Sequence, residues 1–352
     1  MSVGLEKTRS PSGSSESSVT NHPAFLAWSA VHKQSRLPER ICSLYPESLA
    51  KNQKHKKKSL SAAYRMEGAI EHGKNIIAKR ASFGSIATER IIYEEILPFL
   101  PLDALKSYAS SRNGETGWLF LEDSAGREWL TDVYWQNELV AEWLAVMHAQ
   151  ARQYGDVLNR LPDKGPDYYL DQILVVKKWA QSFSEYVPLS TQLGSYLSLL
   201  IENLNTIGSR WSRIEAICRG APRTLVHNDI QRKNVHVSGE SRITGRLSIF
   251  DWETAGHGVP CIDIYCLNHA TGNGDAFLRN YQRALSTNGG QSSVDEIKLM
   301  ATVGGVFRLL DVFTWLGEKY YPQQGSYSWQ SEKLLHYLRW FEAATSAFER
   351  IG

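Results

Sequence analysis

Short apolar runs separated by turn residues fill the first third of the chain and predict a small antiparallel sheet. The runs are shorter than a typical helix and are bounded by polar clusters, as strands are. Glu71–Lys74 has the composition of a hairpin turn. A helical pattern follows over Ile86–Phe99 and ends at Pro98 and Pro101. The predicted strands lie at 41–45, 59–66, 75–80 and 117–122.

From Val133 onward, apolar residues recur at helical spacing. In Asn137–Gln150, for example, Leu139, Trp143 and Met147 fall on one face. A strand-like island interrupts the helical pattern at 224–226, 235–237 and 247–250. The other predicted helical segments are 168–186, 189–218, 262–284, 292–320 and 328–350.

This order of elements predicts an α+β protein with two lobes. Residues 23–125 form the smaller lobe of strands and one helix, and residues 126–352 form a mainly helical lobe with a small embedded sheet. Residues 1–22 are rich in Ser, Thr and Gly, and we expect them to be disordered because they hold little apolar surface to bury. A cleft between two lobes is a common place for a nucleotide.

Composition narrows the class of protein. The 352 residues carry 39 basic and 37 acidic side chains, a net charge of +2, so bulk basicity does not indicate a nucleic-acid partner. No run of about 18 apolar residues predicts a membrane span, and the polar N-terminus does not resemble a secretory signal. Four cysteines without a CxxC pair predict neither a disulfide framework nor a zinc site. We therefore expect a cytoplasmic protein with no membrane partner.

The stretch Leu225–Val237 carries the strongest chemical signal. It places Asp229 and Asn234 five residues apart between two short apolar strands, and a third apolar strand leads into Asp251. Phosphoryl transfer needs a carboxylate that orients the acceptor hydroxyl and oxygen ligands for the Mg²⁺ that bridges the phosphates. These three side chains could supply both parts. The alternative is that Asp229 and Asn234 only cap a turn.

Three sequence blocks resemble one known family. His227–Asn234 resembles the catalytic loop of the aminoglycoside phosphotransferase and choline kinase superfamily, with the pattern His-x-Asp-x-x-x-x-Asn. Phe250–Glu253 resembles the metal-binding segment of that family, and Gly258–Asp263 resembles the Gly-x-Pro-x-x-Asp that follows it. The resemblance covers roughly residues 40–320 and implies a protein-kinase-like bilobal fold.

The same resemblance assigns roles to individual residues. It implies that Asp229 is the catalytic base and that Asn234 and Asp251 are the Mg²⁺ ligands. His227 and Asp263 are expected to brace the loop rather than to take part in the chemistry.

Upstream, the resemblance implies a lysine that binds the nucleotide phosphates and a glutamate that holds it. Lys79 lies at the family's lysine position on the third strand. Glu89 on the next helix fits the glutamate best, and Glu94 and Glu95 are the alternatives. Such a pair would hold the ammonium group near the α- and β-phosphates.

Two further segments are predicted to contact the nucleotide. Leu121, Glu122 and Asp123 end a strand that resembles the family's hinge, whose backbone meets the nucleotide base. Ser59 and Ser61 close a loop that would approach the phosphates.

That loop, Lys54–Ser61, contains no glycine, although close approach of backbone to phosphate often requires one. A solvated basic loop is therefore the alternative interpretation. Asn228 is a second departure, because many members of the family carry glycine there.

Taken together, the resemblance implies an enzyme that moves the γ-phosphoryl group of ATP or GTP to a hydroxyl of a small molecule with Mg²⁺. The acceptor classes are an aminoglycoside-like antibiotic, an amino alcohol or a sugar metabolite. Asp311, Glu318 and aromatic residues near the C-terminus would suit a cationic or sugar-like acceptor, unless they only pack between helices. Those aromatic residues are Trp315, Tyr320, Tyr321, Tyr327 and Trp329.

Three other functions stay open on the sequence. A protein kinase carries Arg before its catalytic Asp and a long activation segment, whereas here Asn228 precedes Asp229 and 11 residues separate Asp251 from Asp263. A nucleotide-binding module without catalysis would use the same fold. Nucleic-acid binding through Lys51–Lys58 and the basic segment Gln231–Lys233 is the third possibility, although the sequence shows no basic stripe interleaved with aromatic residues.

Overall fold

The computed structural model describes residues 19–33, 36–44, 61–185, 187, 191–272, 274–320 and 328–351, with the side chains of 318–320 and 328–331 left out. The chain forms two compact units. Among the described residues, the first unit comprises those up to 90 together with 105–124, and the second comprises 91–104 and those from 125 onward. Most of the predicted N-terminal tail and most of Lys54–Ser61 lie outside the described residues.

A five-stranded antiparallel sheet forms the centre of the first unit, in the order β1-β2-β3-β5-β4. Its strands are β1 (Arg40–Ser43), β2 (Ala62–Glu67), β3 (Ile76–Ser82), β4 (Ser107–Asn113) and β5 (Thr116–Glu122). The predicted hairpin turn lies between β2 and β3, where Glu71–Gly73 forms a 3₁₀ turn. Strand β4 was not predicted, because its Ser-Tyr-Ala-Ser-Ser-Arg-Asn sequence shows no apolar alternation at the edge of the sheet.

Helix α1 (Pro23–Val31) covers one face of this sheet. Pro23 suits the first turn of a helix, because a proline there loses no intrahelical hydrogen bond. Trp28 is fully buried, with its ring centroid 5.1 Å from that of Phe120 on β5. Helix α2 (Phe83–Ile91) continues as a π-helical stretch over Ile92–Ile96, rather than as one regular helix to residue 99.

The second unit is mainly helical. Its longer helices are α3 (Tyr134–Ala151), α4 (Pro166–Ser184), α5 (Gln192–Ser209), α6 (Trp211–Arg219), α7 (Cys261–Thr271), α8 (Gly274–Thr287), α9 (Val294–Tyr320) and α10 (Ser328–Arg350). Two segments predicted as single helices are each two helices. One breaks at Arg210, and the other ends at Gly272, whose φ of 57° lies in the left-handed region that favours glycine.

Two small three-stranded sheets lie within this unit, in the orders β10-β9-β6 and β7-β11-β8. Their strands are β6 (Arg127–Glu128), β7 (Asp163–Lys164), β8 (Thr224–Val226), β9 (Val235–Ser238), β10 (Arg246–Ile249) and β11 (Gly256–Gly258). The predicted strand island therefore exists, and the α+β prediction is confirmed. Strands β6, β7 and β11 were not predicted, because two or three residues are too few to show an alternation of apolar and polar positions.

Helix α9 passes through the core of the second unit. Over Val294–Gly317 it is long and apolar enough to cross a membrane, but 61% of its most apolar window is buried inside the protein, as in the core helix of a soluble protein. A Cβ at Gly304 would overlap the carbonyl oxygen of Cys261, so the backbones of α7 and α9 are in direct contact. This contact fixes α9 beside the loop that follows β8.

Candidate active site

The loop between β8 and β9 holds the predicted catalytic residues. Asn228 has a φ of 62°, a left-handed conformation that Asn tolerates better than most non-glycine residues. The Asn228 side chain donates a hydrogen bond to the Tyr169 hydroxyl at 3.3 Å, which holds it in place. Glycine adopts this conformation most readily, which is consistent with the glycine expected in place of Asn228.

Asp263, at the first turn of α7, fixes the start of the loop. Its two carboxylate oxygens accept hydrogen bonds from the backbone N–H groups of His227 at 2.8 Å and Asn228 at 2.7 Å. His148 Nε2 lies 3.2 Å from Oδ2 of Asp263. Burial alone would raise the pKa of Asp263, but His148, His227 and these hydrogen bonds outweigh it and hold the pKa below its ordinary value.

His227 connects the loop to the strand that carries the predicted metal ligand. Its Nδ1 accepts a hydrogen bond from the backbone N–H of Asp229 at 3.2 Å. The proton therefore resides on Nε2, which donates to the carbonyl oxygen of Phe250 at 3.1 Å. Phe250 also donates its N–H to the carbonyl oxygen of Asn234 at 3.1 Å. Asp251, the next residue, is thus held at the catalytic loop, with a left-handed φ of 70°.

Asp229 and Asn234 are in direct contact. The Nδ2 amino group of Asn234 donates to the backbone oxygen of Asp229 at 2.9 Å and to its Oδ2 at 3.0 Å. Asn234 is 2% exposed and Asp229 is partly exposed, so the pair lies at the edge of the protein interior. The amino group is committed to Asp229, which leaves the amide oxygen Oδ1 of Asn234 as the atom suited to a cation.

Three further side chains surround the Asp229 carboxylate, and the sequence predictions did not include them. Arg308 on α9 donates from Nη2 to Oδ1 of Asp229 at 2.5 Å and from Nη1 to the carbonyl oxygen of Asn228 at 3.1 Å. Gln231 also donates to Oδ1, and Lys233 Nζ lies 3.8 Å from Oδ2. The hydrogen bonds from Arg308 and Gln231 fix the orientation of the carboxylate.

Arg308 stays charged although it is mostly buried. Burial lowers its pKa, but the electrostatic effects of Cys266, Asp229 and Asp311 outweigh burial, so the pKa lies above its ordinary value. Burial raises the pKa of the Cys266 thiol to about 12, so this cysteine is neutral at physiological pH. The sequence contains one signal for Arg308: a cation in the middle of an apolar helix needs a buried partner.

Asp311 forms part of a buried polar cluster rather than an acidic wall. Its Oδ1 accepts a hydrogen bond from Tyr168 at 3.1 Å, its Oδ2 accepts one from Tyr169 at 3.4 Å, and Lys164 Nζ lies 3.9 Å away. Burial raises its pKa despite these partners. The Asp311 carboxylate is therefore bound to other side chains rather than available for a cationic acceptor, as the sequence had suggested. Tyr321 and Tyr327, and the side chains of Glu318, Tyr320 and Trp329, lie outside the described residues.

In the first unit, the structure brings Lys79 and Glu89 together. Lys79 Nζ on β3 donates to Oε1 of Glu89 on α2 at 2.6 Å, and the two residues are 8% and 0% exposed. Glu95, one of the alternatives, instead pairs with Arg160, and both of those residues belong to the second unit. Whether the Lys79 and Glu89 pair binds phosphates stays a prediction.

The predicted hinge residues end strand β5. Leu121 pairs with both neighbouring strands, and the ladder ends at Glu122. The Asp123 carboxylate forms a bidentate ion pair with Arg65, at 2.7 and 3.2 Å. Ser61 is exposed just before β2, and Ser59 lies outside the described residues. The nucleotide contacts of these five residues stay predictions.

Comparisons with known proteins identify the family of the chain and structures with a similar fold. The sequence model of the family described as "Phosphotransferase enzyme family" matches residues 102–297, which is more than half of the chain. No curated protein matches the sequence.

Several solved structures have a similar fold. One is a spectinomycin phosphotransferase in complex with ADP and spectinomycin, with 11% identity, a TM-score of 0.55, and 92% of this chain and 96% of that chain covered. Another is the GDP complex of the wild-type aminoglycoside 2'-phosphotransferase-IIIa, with 12% identity, a TM-score of 0.58, and 88% and 93% covered. A third is a Plasmodium vivax ethanolamine kinase, with 13% identity, a TM-score of 0.54, and 87% and 81% covered. At these identities the likeness concerns the fold, and the fold expected from the sequence is confirmed.

Proposed function

The chain belongs to the phosphotransferase enzyme family, and from this membership we propose that it moves the γ-phosphoryl group of ATP or GTP to a hydroxyl of a small molecule, with Mg²⁺ as cofactor. The family makes the protein a small-molecule kinase. The observation that carries the more detailed proposal is the network that joins Asp263, His227, Asp229 and Asn234.

Asp229 is the group that receives the acceptor hydroxyl in this proposal. Its carboxylate orients the hydroxyl and accepts its proton as the oxygen bonds to phosphorus and the bond to the nucleoside diphosphate breaks. Asn234, Gln231 and Arg308 hold the carboxylate in one orientation, so little motion is needed at the moment of reaction. Asp263 contributes indirectly, because it fixes the backbone on which Asp229 stands.

Asn234 and Asp251 have the donor atoms that Mg²⁺ prefers, a carboxamide oxygen and a carboxylate. The orientation of the Asn234 amide, with Nδ2 turned to Asp229, fits a cation at Oδ1. When bound, Mg²⁺ would neutralise charge on the phosphates of the nucleotide. His227 and Phe250 keep the two candidate ligands on adjoining segments.

Residues 23–125 would bind the nucleotide and residues 126–352 the acceptor. Lys79, held by Glu89, would neutralise the α- and β-phosphates. ADP and GDP are bound in two of the structures with a similar fold, which supports a nucleoside triphosphate donor. We place the reaction in the cytoplasm, where all four free thiols would remain reduced.

A panel of hydroxyl-bearing compounds tests the proposal. Each compound is incubated with Mg·ATP or Mg·GTP, and release of the nucleoside diphosphate is measured. We expect at least one compound to raise turnover above the acceptor-free rate, and EDTA to abolish the increase. No increase across a broad panel, with nucleotide binding verified separately, would contradict transfer to a small-molecule hydroxyl.

A further inference from the structure

A pocket of about 430 Å³ lies in the second unit, and its wall includes side chains that contact the Asp229 carboxylate. Gln231 and Arg308 contribute to its wall, and both donate hydrogen bonds to Oδ1 of Asp229. Its volume is within the range of small-molecule sites. A molecule in this pocket would therefore lie against two side chains that contact the candidate catalytic base.

Cations outnumber carboxylates around this pocket. Arg232, Lys233 and Arg308 line it, and Glu128 is the acidic residue among the described lining residues. Glu128 already lies 3.6 Å from Arg232, and Asp229 is paired with Arg308. An amine in the pocket would thus find both carboxylates engaged by cations.

The two outermost cations are accessible. The side chains of Arg232 and Lys233 are 52% and 60% exposed. A guanidinium and an ammonium at the mouth of one pocket suit a carboxylate, through hydrogen bonds to an ionised group.

Another part of the wall is aromatic. It consists of Tyr265, His269, Tyr337 and Trp340, with the His269 and Trp340 ring centroids 4.9 Å apart. Trp340 is 38% exposed, so part of its indole surface is free to contact a ligand. Flat or apolar groups gain the most from such a surface.

Building on the proposed phosphotransfer at Asp229, we propose that the acceptor is an alcohol that carries a carboxylate on an aromatic or apolar body, rather than an amine. The hydroxyl would face Asp229, the carboxylate would face Arg232 and Lys233, and the body would lie against the aromatic wall. Selectivity follows from attraction of the anion and from repulsion of a cation by the same groups.

Three matched alcohols separate the possibilities: 4-(hydroxymethyl)benzoate, 1,4-benzenedimethanol and 4-(hydroxymethyl)benzylamine. They share the ring and the primary hydroxyl and differ in charge. Binding to the full chain is measured by isothermal titration calorimetry at low salt and at 0.5 M NaCl. We expect the carboxylate to bind about tenfold or more tightly than the amine at low salt, the size of one good hydrogen bond to a charged group. The difference should narrow at high salt. An amine that binds equally or more tightly, or a carboxylate that does not bind, would overturn the proposal.

Variants localise the preference. Lys233→Gln should weaken carboxylate binding about fivefold and leave the neutral diol nearly unchanged, whereas Lys233→Arg should retain the preference. Arg283→Gln removes an exposed cation elsewhere in the second unit and is the matched control. Equal losses for carboxylate and diol in Lys233→Gln would contradict the assignment. Because binding is read without turnover, tight carboxylate binding together with no nucleoside diphosphate release across the whole panel of hydroxyl compounds would refute the phosphotransfer proposal while leaving the pocket's preference intact.

Discussion

Glu89 in the first unit and Asp263 in the second are both fully buried carboxylates, but they are stabilised in different ways. In the first unit, Lys79 and Glu89 form a buried ion pair between two side chains. In the second, the Asp263 carboxylate accepts hydrogen bonds from backbone N–H groups of the loop that carries Asp229. A buried ion pair can be replaced as a unit, since both partners are side chains, whereas backbone donors cannot be removed. Substitution of Asp263 should therefore be tolerated less well than replacement of the Lys79 and Glu89 pair.

The largest loss of stability is expected for Asp263→Ala. The change leaves two buried backbone N–H groups and His148 without their carboxylate, which should cost about 4 kcal/mol or more of unfolding free energy. Chemical denaturation followed by far-UV circular dichroism measures this loss. Asp275→Asn, at an exposed carboxylate, is the control. A loss no larger than that of the control would contradict the structural role of Asp263.

For the Lys79 and Glu89 ion pair, we expect a smaller loss of unfolding free energy, which a second substitution should largely restore. Lys79→Met leaves Glu89 buried opposite an apolar side chain and should lower the unfolding free energy by about 3 kcal/mol. The double variant Lys79→Met/Glu89→Leu should recover most of that loss of unfolding free energy. It should nevertheless bind the nucleotide more weakly than the parent protein, because it lacks the lysine proposed to contact the phosphates. A double variant no more stable than Lys79→Met would contradict the claim that this buried ion pair can be replaced as a unit.

Arg308→Gln should affect turnover more than affinity for the nucleotide. Without the guanidinium, the Asp229 carboxylate and the Asn228 carbonyl each lose a donor that fixes the loop. We expect kcat to fall about 10- to 100-fold with little change in KM for the nucleotide, because small misplacement of a reacting group is costly. Arg308→Lys should restore part of the rate. An unchanged kcat in Arg308→Gln would show that Arg308 does not position Asp229.

The smallest effect is a dependence of stability on pH. The folded pKa of Asp263 lies below its ordinary value of 3.8, so its stabilising contribution is present above that value and is lost as the pH falls through the folded pKa. Stability of the parent protein should therefore drop more steeply below about pH 4 than that of Asp263→Asn. Parallel slopes for the two proteins would contradict the lowered pKa.

Features encoded within one short segment could be predicted from the sequence, whereas features that depend on packing between distant segments could not. The candidate catalytic loop could be proposed from the sequence because Asp229 and Asn234 lie five residues apart on one segment with apolar strands on both sides. Arg308 lies 79 residues from Asp229, and only the packing of α9 against α7 brings them together. Strand β4 was missed because its polar sequence pairs through the backbone, which leaves no apolar period. Gly272 ended a helix that apolar spacing alone would have continued.

Turnover of Asp229→Asn with Mg·ATP or Mg·GTP and an accepted alcohol tests the central claim most directly. The substitution preserves size and removes the carboxylate that is proposed to receive the hydroxyl proton. We predict that kcat falls about 10²- to 10⁴-fold while nucleotide binding is retained. An Asp229→Asn enzyme that turns over at the rate of the parent would contradict the assignment of the active site.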